Sequence, residues 1–553
     1  TKSLWDMKQV EIYRGAQSYA QGRNAIAGAV VMTSNDPTQE WEGAAKLNMG
    51  NHRLAQTAAL ISGPVVKDEL AFRLSVDHQQ RETAVDLPHY DPVGNPRWFK
   101  ATNTRAKLLW TPSALPDLYS RLTFNHLNAR APQSETELQP NSPRYTPERP
   151  VFQTRSASTI WDIGYQLSEH WKWENKLVYT HFIHDRKTTS PFNTALPPNR
   201  RGVPARVDGN EFQIEPIVKY ENEKYRGLFG LFYFNAKQDE SVTMLNGRIA
   251  RTPITTNFND KTKTKAAFGE ITFTPDIPFE LTLSARYEQE HHQRKGKSAM
   301  FSINRDKKYN VFLPKADIAW KINDDQRLGF KVGKGYNPGG AGVTFGVPYT
   351  SYEYDAEYVW NYELYHRWTS ADKRLRINSN LFYNDYKDMQ LPFTLGPNSI
   401  VIRNADKVVT YGAEINTEWQ ATEKLVLNAG IGMLKTDIKR YPNSGIEGNK
   451  LARAPSFSGK VGANYRLLDH LEIGTNYSYN SSYYSTADNL ANGKVGHYDQ
   501  LDVYLAYDFK HARITLYADN VLNSRKDILL VPRSGDITRQ PERQIGLSTE
   551  LRF

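Results

Sequence analysis

The sequence predicts an all-β chain, a 22-stranded antiparallel transmembrane β-barrel. Three observations carry that expectation. Apolar and polar residues alternate with period two along many segments. Short turn-like connections alternate with long ones. No apolar run approaches the roughly 18 residues of a membrane-crossing helix, yet 12% of the 553 residues are aromatic and 32 are Tyr. A barrel crosses with strands whose lumen-facing positions dilute the apolar signal. A hydrophobic fraction of 39% and a mean hydropathy of −0.64 therefore fit it.

The first stretch, residues 10–37 (VEIYRGAQSYAQGRNAIAGAVVMTSNDP), is unlike the rest. Gly15, Gly22 and Gly28 suit places that need a positive φ or close packing. Two β-type runs, 10–13 and 29–33, lie around them, and Asn35-Asp36-Pro37 ends the pattern. The stretch reads as the end of a compact unit, so the chain is expected to begin inside that unit.

After Pro37 the period becomes two. Leu70, Phe72, Leu74 and Val76 alternate with Arg73, Ser75 and Asp77. The pattern returns at Phe279, Leu281, Leu283, Ala285 and Tyr287, and again at Leu471, Ile473, Thr475, Tyr477 and Tyr479. It closes the chain at Ile545, Leu547, Leu551 and Phe553. Residues 225–234 break it, being apolar or aromatic on both faces.

Ten short connections carry turn chemistry: 66–68, 111–117, 167–170, 221–224, 275–278, 323–325, 370–373, 421–423, 467–469 and 510–511. Long ones intervene at 82–101, 131–152, 187–208, 240–261, 337–356, 388–406, 438–454 and 525–540, rich in Pro, Gly, Asn and Arg. Ten turns separate eleven hairpins, hence 22 strands. Short turns at one end and long loops at the other are how outer-membrane barrels are built. A soluble propeller would show a four-strand repeat, and none recurs at 40–50 residues.

Several functions are disfavoured. With no Cys there are no disulfides and no thiolate chemistry. The net charge of +10 comes without a clustered basic helix or a nucleic-acid module, so a basic lumen or contact with anionic lipid explains it better. His291 and His292 are adjacent and face opposite sides of a strand, and Asp324-Asp325 falls in an exposed turn, so no metal site is expected. No nucleophile elbow, phosphate loop or paired carboxylates suggest an enzyme.

Motifs along the chain resemble the TonB-dependent outer-membrane receptors. Arg14-Gly15, the run from Gly22 to Gly28 and the following strand resemble the end of that family's plug domain. Residues 312–340 resemble a strand pair ending in Arg-Gly-Tyr-x-x-Gly-Gly, with Lys334 in place of the Arg. EYVWNYELYHRW (357–368), YGAEINTEW (411–419), the Ala-Pro start at 454–467, YADNVLNSRKD (517–527) and PERQIGLSTELRF (541–553) follow in family order. The resemblance implies a plug remnant over 1–37, seated in the lumen of a barrel over 38–553. It also implies a location in the bacterial outer membrane, with long loops outside and short turns periplasmic.

The resemblance further implies active uptake of a ferric siderophore. Energy would come from the inner-membrane TonB complex, pulling on a box upstream of Thr1. Haem, cobalamin or an oligosaccharide is the alternative cargo, and a passive porin-like channel another. Haem is disfavoured because Ala452-Arg453-Ala454-Pro455 lacks the family's preceding Phe and a nearby His. No cofactor of its own is expected, iron travelling as the ferric siderophore. Expected partners are lipid and lipopolysaccharide, and a bacteriocin or phage using the receptor. A monomer that binds no nucleic acid is expected.

In the family, plug arginines latch onto barrel glutamates. Arg14 matches the plug side, and Glu363 and Glu414 match the barrel side. Parity independently turns both glutamates inward, since Trp360, Tyr362, Leu364 and Trp368, and likewise Val409, Tyr411, Ala413 and Ile415, occupy the other face. Ligand contacts are expected from charged and aromatic residues near strand tops and long loops: Arg81, Trp98, Arg130, Arg186, Tyr336, Tyr386, Arg403 and His497. Each could equally be a solvated loop residue or a girdle aromatic.

Overall fold

The computed structural model describes residues 3–14, 28–137, 139, 146–245, 252–396 and 399–553, without the side chains of residues 13, 14, 28 and 29. Twenty-two strands close into one barrel, each antiparallel to its neighbours. The first, Glu42–Gly50, closes the ring against the last, Gln544–Arg552, with Ala44 opposite Arg552 and Gly50 opposite Gly546. All ten expected short turns lie between consecutive strands.

The alternation that predicts the strands also sorts their faces. In Leu70–Glu82, Leu74 (48% exposed) and Val76 (40%) point outward, while Arg73 (3%) and Asp77 (1%) are buried toward the lumen. Polar inside and apolar outside is the arrangement a membrane barrel requires. Aromatic pairs ring the outer face at the short-turn end: Trp171–Tyr220 at 4.7 Å, Tyr225–Phe273 at 5.0 Å and Phe279–Trp320 at 6.3 Å.

Two of the expected long loops are largely strand. Tyr225–Leu245 and Pro253–Phe273 run 21 residues each, taking up most of 240–261. Leu375–Gly396 and Ser399–Gln420 run 22 each, taking up most of 388–406. Crossing a membrane needs about 9–11 residues, so these hairpins stand well beyond it. Burial explains the extension. Val242, Met244 and Phe258 pack with Phe301, Ile303 and Val343, and Leu391, Ala405 and Val408 pack with Ile438, Tyr441 and Ile446. Two further connections at this end, 51–53 and 298–301, are short.

Before the barrel, Met7–Arg14 and Gly28–Ser34 form a two-stranded hairpin. Gly15 and Gly22, and the side chain of Arg14, lie outside the described residues.

Candidate functional site

Three sets of residues bear on function. The first is a neck where the N-terminal segment meets the wall. Trp5 is buried against Ala44, Ala58 and Leu60, and its indole N–H donates to the Ala59 carbonyl at 3.2 Å. Ser3 donates to Asp77. Asp6, in the left-handed region at φ 58°, receives Arg73 through both oxygens, Nε at 2.8 Å and Nη2 at 2.5 Å. Arg73 also binds Glu42, and Asn35 donates to Asp6 at 2.9 Å. Asp36 is held by Arg121, at 2.8 and 2.9 Å, and by Lys107 at 3.1 Å. Burial alone would raise the Asp36 carboxyl, but Arg121 and Lys107 together hold it below the ordinary carboxylate range.

The three cations come from the third, fourth and fifth barrel strands, three residues from each strand's short-turn end. Arg73 and Lys107 are register partners. The chain thus leaves the wall after Asp6, makes the hairpin, and is pinned again at Asp36. Sequence reasoning missed this neck. The available signal was three inward cations, at one height, on neighbouring strands.

The second set holds the expected latch glutamates, on the opposite arc of the ring. Glu363 is 7% exposed, pairs with Lys331 of the adjacent strand at 3.0 Å, and accepts from Asn380. Asn380 is the register partner of Glu414, which is half-buried, so one amide lies between the two carboxylates' strands. The side chain of Arg14, expected to meet them, lies outside the described residues.

The third set is the mouth. Arg81, Trp98, Arg130 and Arg186 stand at the long-loop ends of the third, fourth, fifth and seventh barrel strands. Arg81 lies over Phe99 at 3.8 Å and pairs with Glu135 at 3.2 Å; Trp98 lies under Lys100 at 4.7 Å and Arg53 at 5.4 Å. Arg130 donates to the Asn95 carbonyl, and Arg186 to the Val203 carbonyl. Both charges act on the phenol of Tyr90, which burial pushes up to about 12, so it stays protonated and donates to the Arg149 carbonyl.

The other expected contacts are scattered. Tyr336 is 2% exposed and donates to Glu288 at 2.6 Å. Tyr386 packs on the Leu391 cluster, Arg403 lies over Phe393 at 3.9 Å, and His497 stacks on Tyr479 at 5.9 Å.

Of these eight, Arg81 alone lines the cavity of about 470 Å³ beside the barrel seam. It is also lined by His52 and by the charged residues Glu137, Asp502, Asp519, Arg525 and Arg539, which sequence reasoning did not single out. Arg539 pairs with Glu137 at 3.2 Å and Arg525 with the same carboxylate at 3.5 Å. The cavity therefore offers hydrogen-bonding groups of both signs. No group of three or more His, Asp or Glu suited to a metal ion occurs among the described residues.

A family model described as TonB dependent receptor-like, beta-barrel matches residues 90–523. The chain belongs to the TonB-dependent receptor family. The pesticin receptor of Yersinia pestis is 22% identical over 306 residues, covering 53% of this chain and 44% of that relative, so the match spans under half of the relative's length. Among solved structures, the ferric yersiniabactin uptake receptor FyuA from Yersinia pestis superposes with a TM-score of 0.83 at 18% identity, over 99% of this chain and 85% of that one. The siderophore receptor PiuA from Acinetobacter baumannii gives 0.79 at 13% identity, over 100% and 87%. The chain's barrel is thus that of a family of outer-membrane receptors and transporters.

Proposed function

We propose that this TonB-dependent receptor takes up a ferric siderophore across the outer membrane. The observation that carries the reading is the fit of almost the whole chain onto structures described as siderophore receptors. The mouth supports it: arginines and aromatic rings stand together on one arc, a chemistry suited to an anionic, partly aromatic chelate. In this reading the long loops face outward and the short turns the periplasm. Residues 1–37 are the tail of a plug, and 38–553 the barrel. The ligand binds at the mouth, and the TonB complex pulls on the plug. The tail moves while the neck holds it to the wall. The protein keeps no cofactor, since iron is cargo. A bacteriocin is a fitting second user, given the pesticin receptor's likeness.

The test is growth of a deletion strain under iron limitation, fed one ferric siderophore at a time. Loss of growth on one chelate, restored by the gene, supports the reading. Unchanged growth on every chelate, with loss on haem, cobalamin or an oligosaccharide, would move the cargo to that nutrient.

The latch belongs to the same proposal. Arg14 would reach Glu363 or Glu414 across the lumen. Glu414→Gln is then expected to raise passive entry of large antibiotics at normal expression. Unaltered sensitivity would remove Glu414 from the latch.

A further inference from the structure

One arc of the outer face carries a cluster of lysines at the far edge of the membrane belt. The strands Tyr225–Leu245, Pro253–Phe273, Phe279–Lys297 and Ser302–Asn323 stand side by side there. Their outward rings at the short-turn end are Tyr225, Phe273, Phe279 and Trp320. A crossing takes about 9–11 residues. Counted from those rings, it ends at 233–235, 263–265, 287–289 and 310–312. Tyr287 and Phe312 are register partners, 54% and 55% exposed, and mark that level. Exposed lysines begin there, all on the outward parity: Lys265 and Lys263, then Lys261, Lys237, Lys295 and Lys308.

Two features set this patch apart from ordinary surface charge. None of the six lysines is in an ion pair among the described residues. The nearby acids are engaged elsewhere. Asp306 accepts from His291 at 2.5 Å and Gln293 at 3.0 Å, Asp239 accepts from Asn259 at 2.7 Å, and Glu240 and Asp260 hold Arg294 on the inward face. Secondly, Lys237 and Lys261 are direct register partners, as are His291 and Lys308. Like charges directly opposite destabilise a sheet, so this wall holds a repulsion that an added anion relieves. Farther round the same rim, outward charges pair within the wall: His181 with Asp208 at 2.9 Å, Arg206 with Asp185 at 3.7 Å and Lys439 with Asp437 at 2.7 Å.

We propose that this patch docks a lipid carrying more than one phosphate, the lipopolysaccharide of the outer leaflet, with its phosphates seated on Lys237, Lys261, Lys263 and Lys308. Depth, sign and width point to it. The lysines begin where the crossing ends, which is headgroup level. Mobile ammonium groups with three donors each suit phosphate oxygens. Lys237 and Lys308 stand three strand spacings apart, about 14 Å across the sheet, which is too wide for a single phosphate. The choice of leaflet rests on the orientation proposed above, in which the long loops face outward.

The test is native mass spectrometry of the folded barrel in detergent, titrated with bisphosphorylated lipid A. The triple variant Lys237→Gln, Lys261→Gln, Lys263→Gln is compared with Lys407→Gln, Lys435→Gln, Lys439→Gln, which removes three exposed lysines from another arc. Folding of each is read from heat-modifiable gel mobility. Wild type and control are expected to retain one lipid A. The patch variant is expected to bind it about a hundredfold more weakly, at about fivefold per lysine near an anionic surface. Equal binding by the folded patch variant and the wild type would overturn the site, and so would an equal loss in the control, which would reduce the effect to net charge. Binding unchanged by removal of both lipid A phosphates would overturn the role of phosphate. Equally tight binding of phosphatidylglycerol would overturn the choice of lipid. Failure of the growth test would leave this result untouched, because it needs only the folded barrel and a lipid.

Discussion

The neck and the Glu363 arc hold charge at the inner wall in opposite ways. At Glu363 the wall is self-sufficient, because Lys331 and Asn380 belong to the barrel itself. At the neck the wall supplies cations, and the N-terminal segment completes them. The hydrogen bonds of Lys107 go to Ser34, Asn35 and Asp36, and Arg73 gives two of its bonds to Asp6. A buried cation without its carboxylate is costly. The neck is therefore built to keep its segment, whereas the Glu363 arc keeps its own stability whether or not a plug arginine visits. A contact that must be released during transport belongs on the second kind of wall, and an attachment that must survive belongs on the first.

The largest expected effect follows from that contrast. Arg73→Met preserves volume and strands Asp6, whose side chain is 1% exposed. The cost is on the order of 3–5 kcal/mol, as for a broken buried pair. It should appear as loss of hydrogen-exchange protection at the Asn35 amide, which donates to the Asp6 carbonyl at 3.1 Å. Protection equal to wild type would mean that the segment is held by Trp5 and Asp36 alone, and the contrast would narrow.

Lys331→Met probes the other side. Glu363 loses its cation but keeps the Asn380 donor, so about 1–3 kcal/mol is expected from the denaturation midpoint of the folded barrel. The neck's exchange should not change, since the two arcs lie across the ring and share no partner. Coupled loss at both places would show that the wall transmits strain around the barrel.

What the sequence made legible follows the same division. Period two reads directly from side chains, so Leu74 and Val76 outward and Arg73 and Asp77 inward needed only parity. The ten turns were legible because turn residues are local chemistry. The neck was not, because Asp6 and Arg73 are 67 positions apart and nothing near either residue names the other. The strand extensions over 240–261 and 388–406 were missed for a related reason. Polar residues there read as loop, while the apolar ones between them, such as Val242, Phe258 and Leu391, are buried in clusters completed by Phe301 and Tyr441, which arrive from other segments. The bond from Tyr336 to Glu288, 48 positions away, was illegible for the same reason.

The smallest effect sharpens the contrast most, because it separates charge from shape. Asp36 is 41% exposed at its side chain, so solvent screening leaves its two cations worth only about 1 kcal/mol. Its carboxyl titrates below the ordinary value in the folded chain, so its contribution is fully present above that value and is lost as pH falls through the lowered one. Neck protection should therefore be flat from neutral pH down to about 4 and fall below it. Asp36→Asn should remove that fall while starting from a slightly weaker neck at neutral pH, because Asn can still accept one hydrogen bond from Arg121. If the variant kept the same acid-dependent loss, the titrating group would be elsewhere, and the neck would owe its hold to Asp6 and to the packing of Trp5.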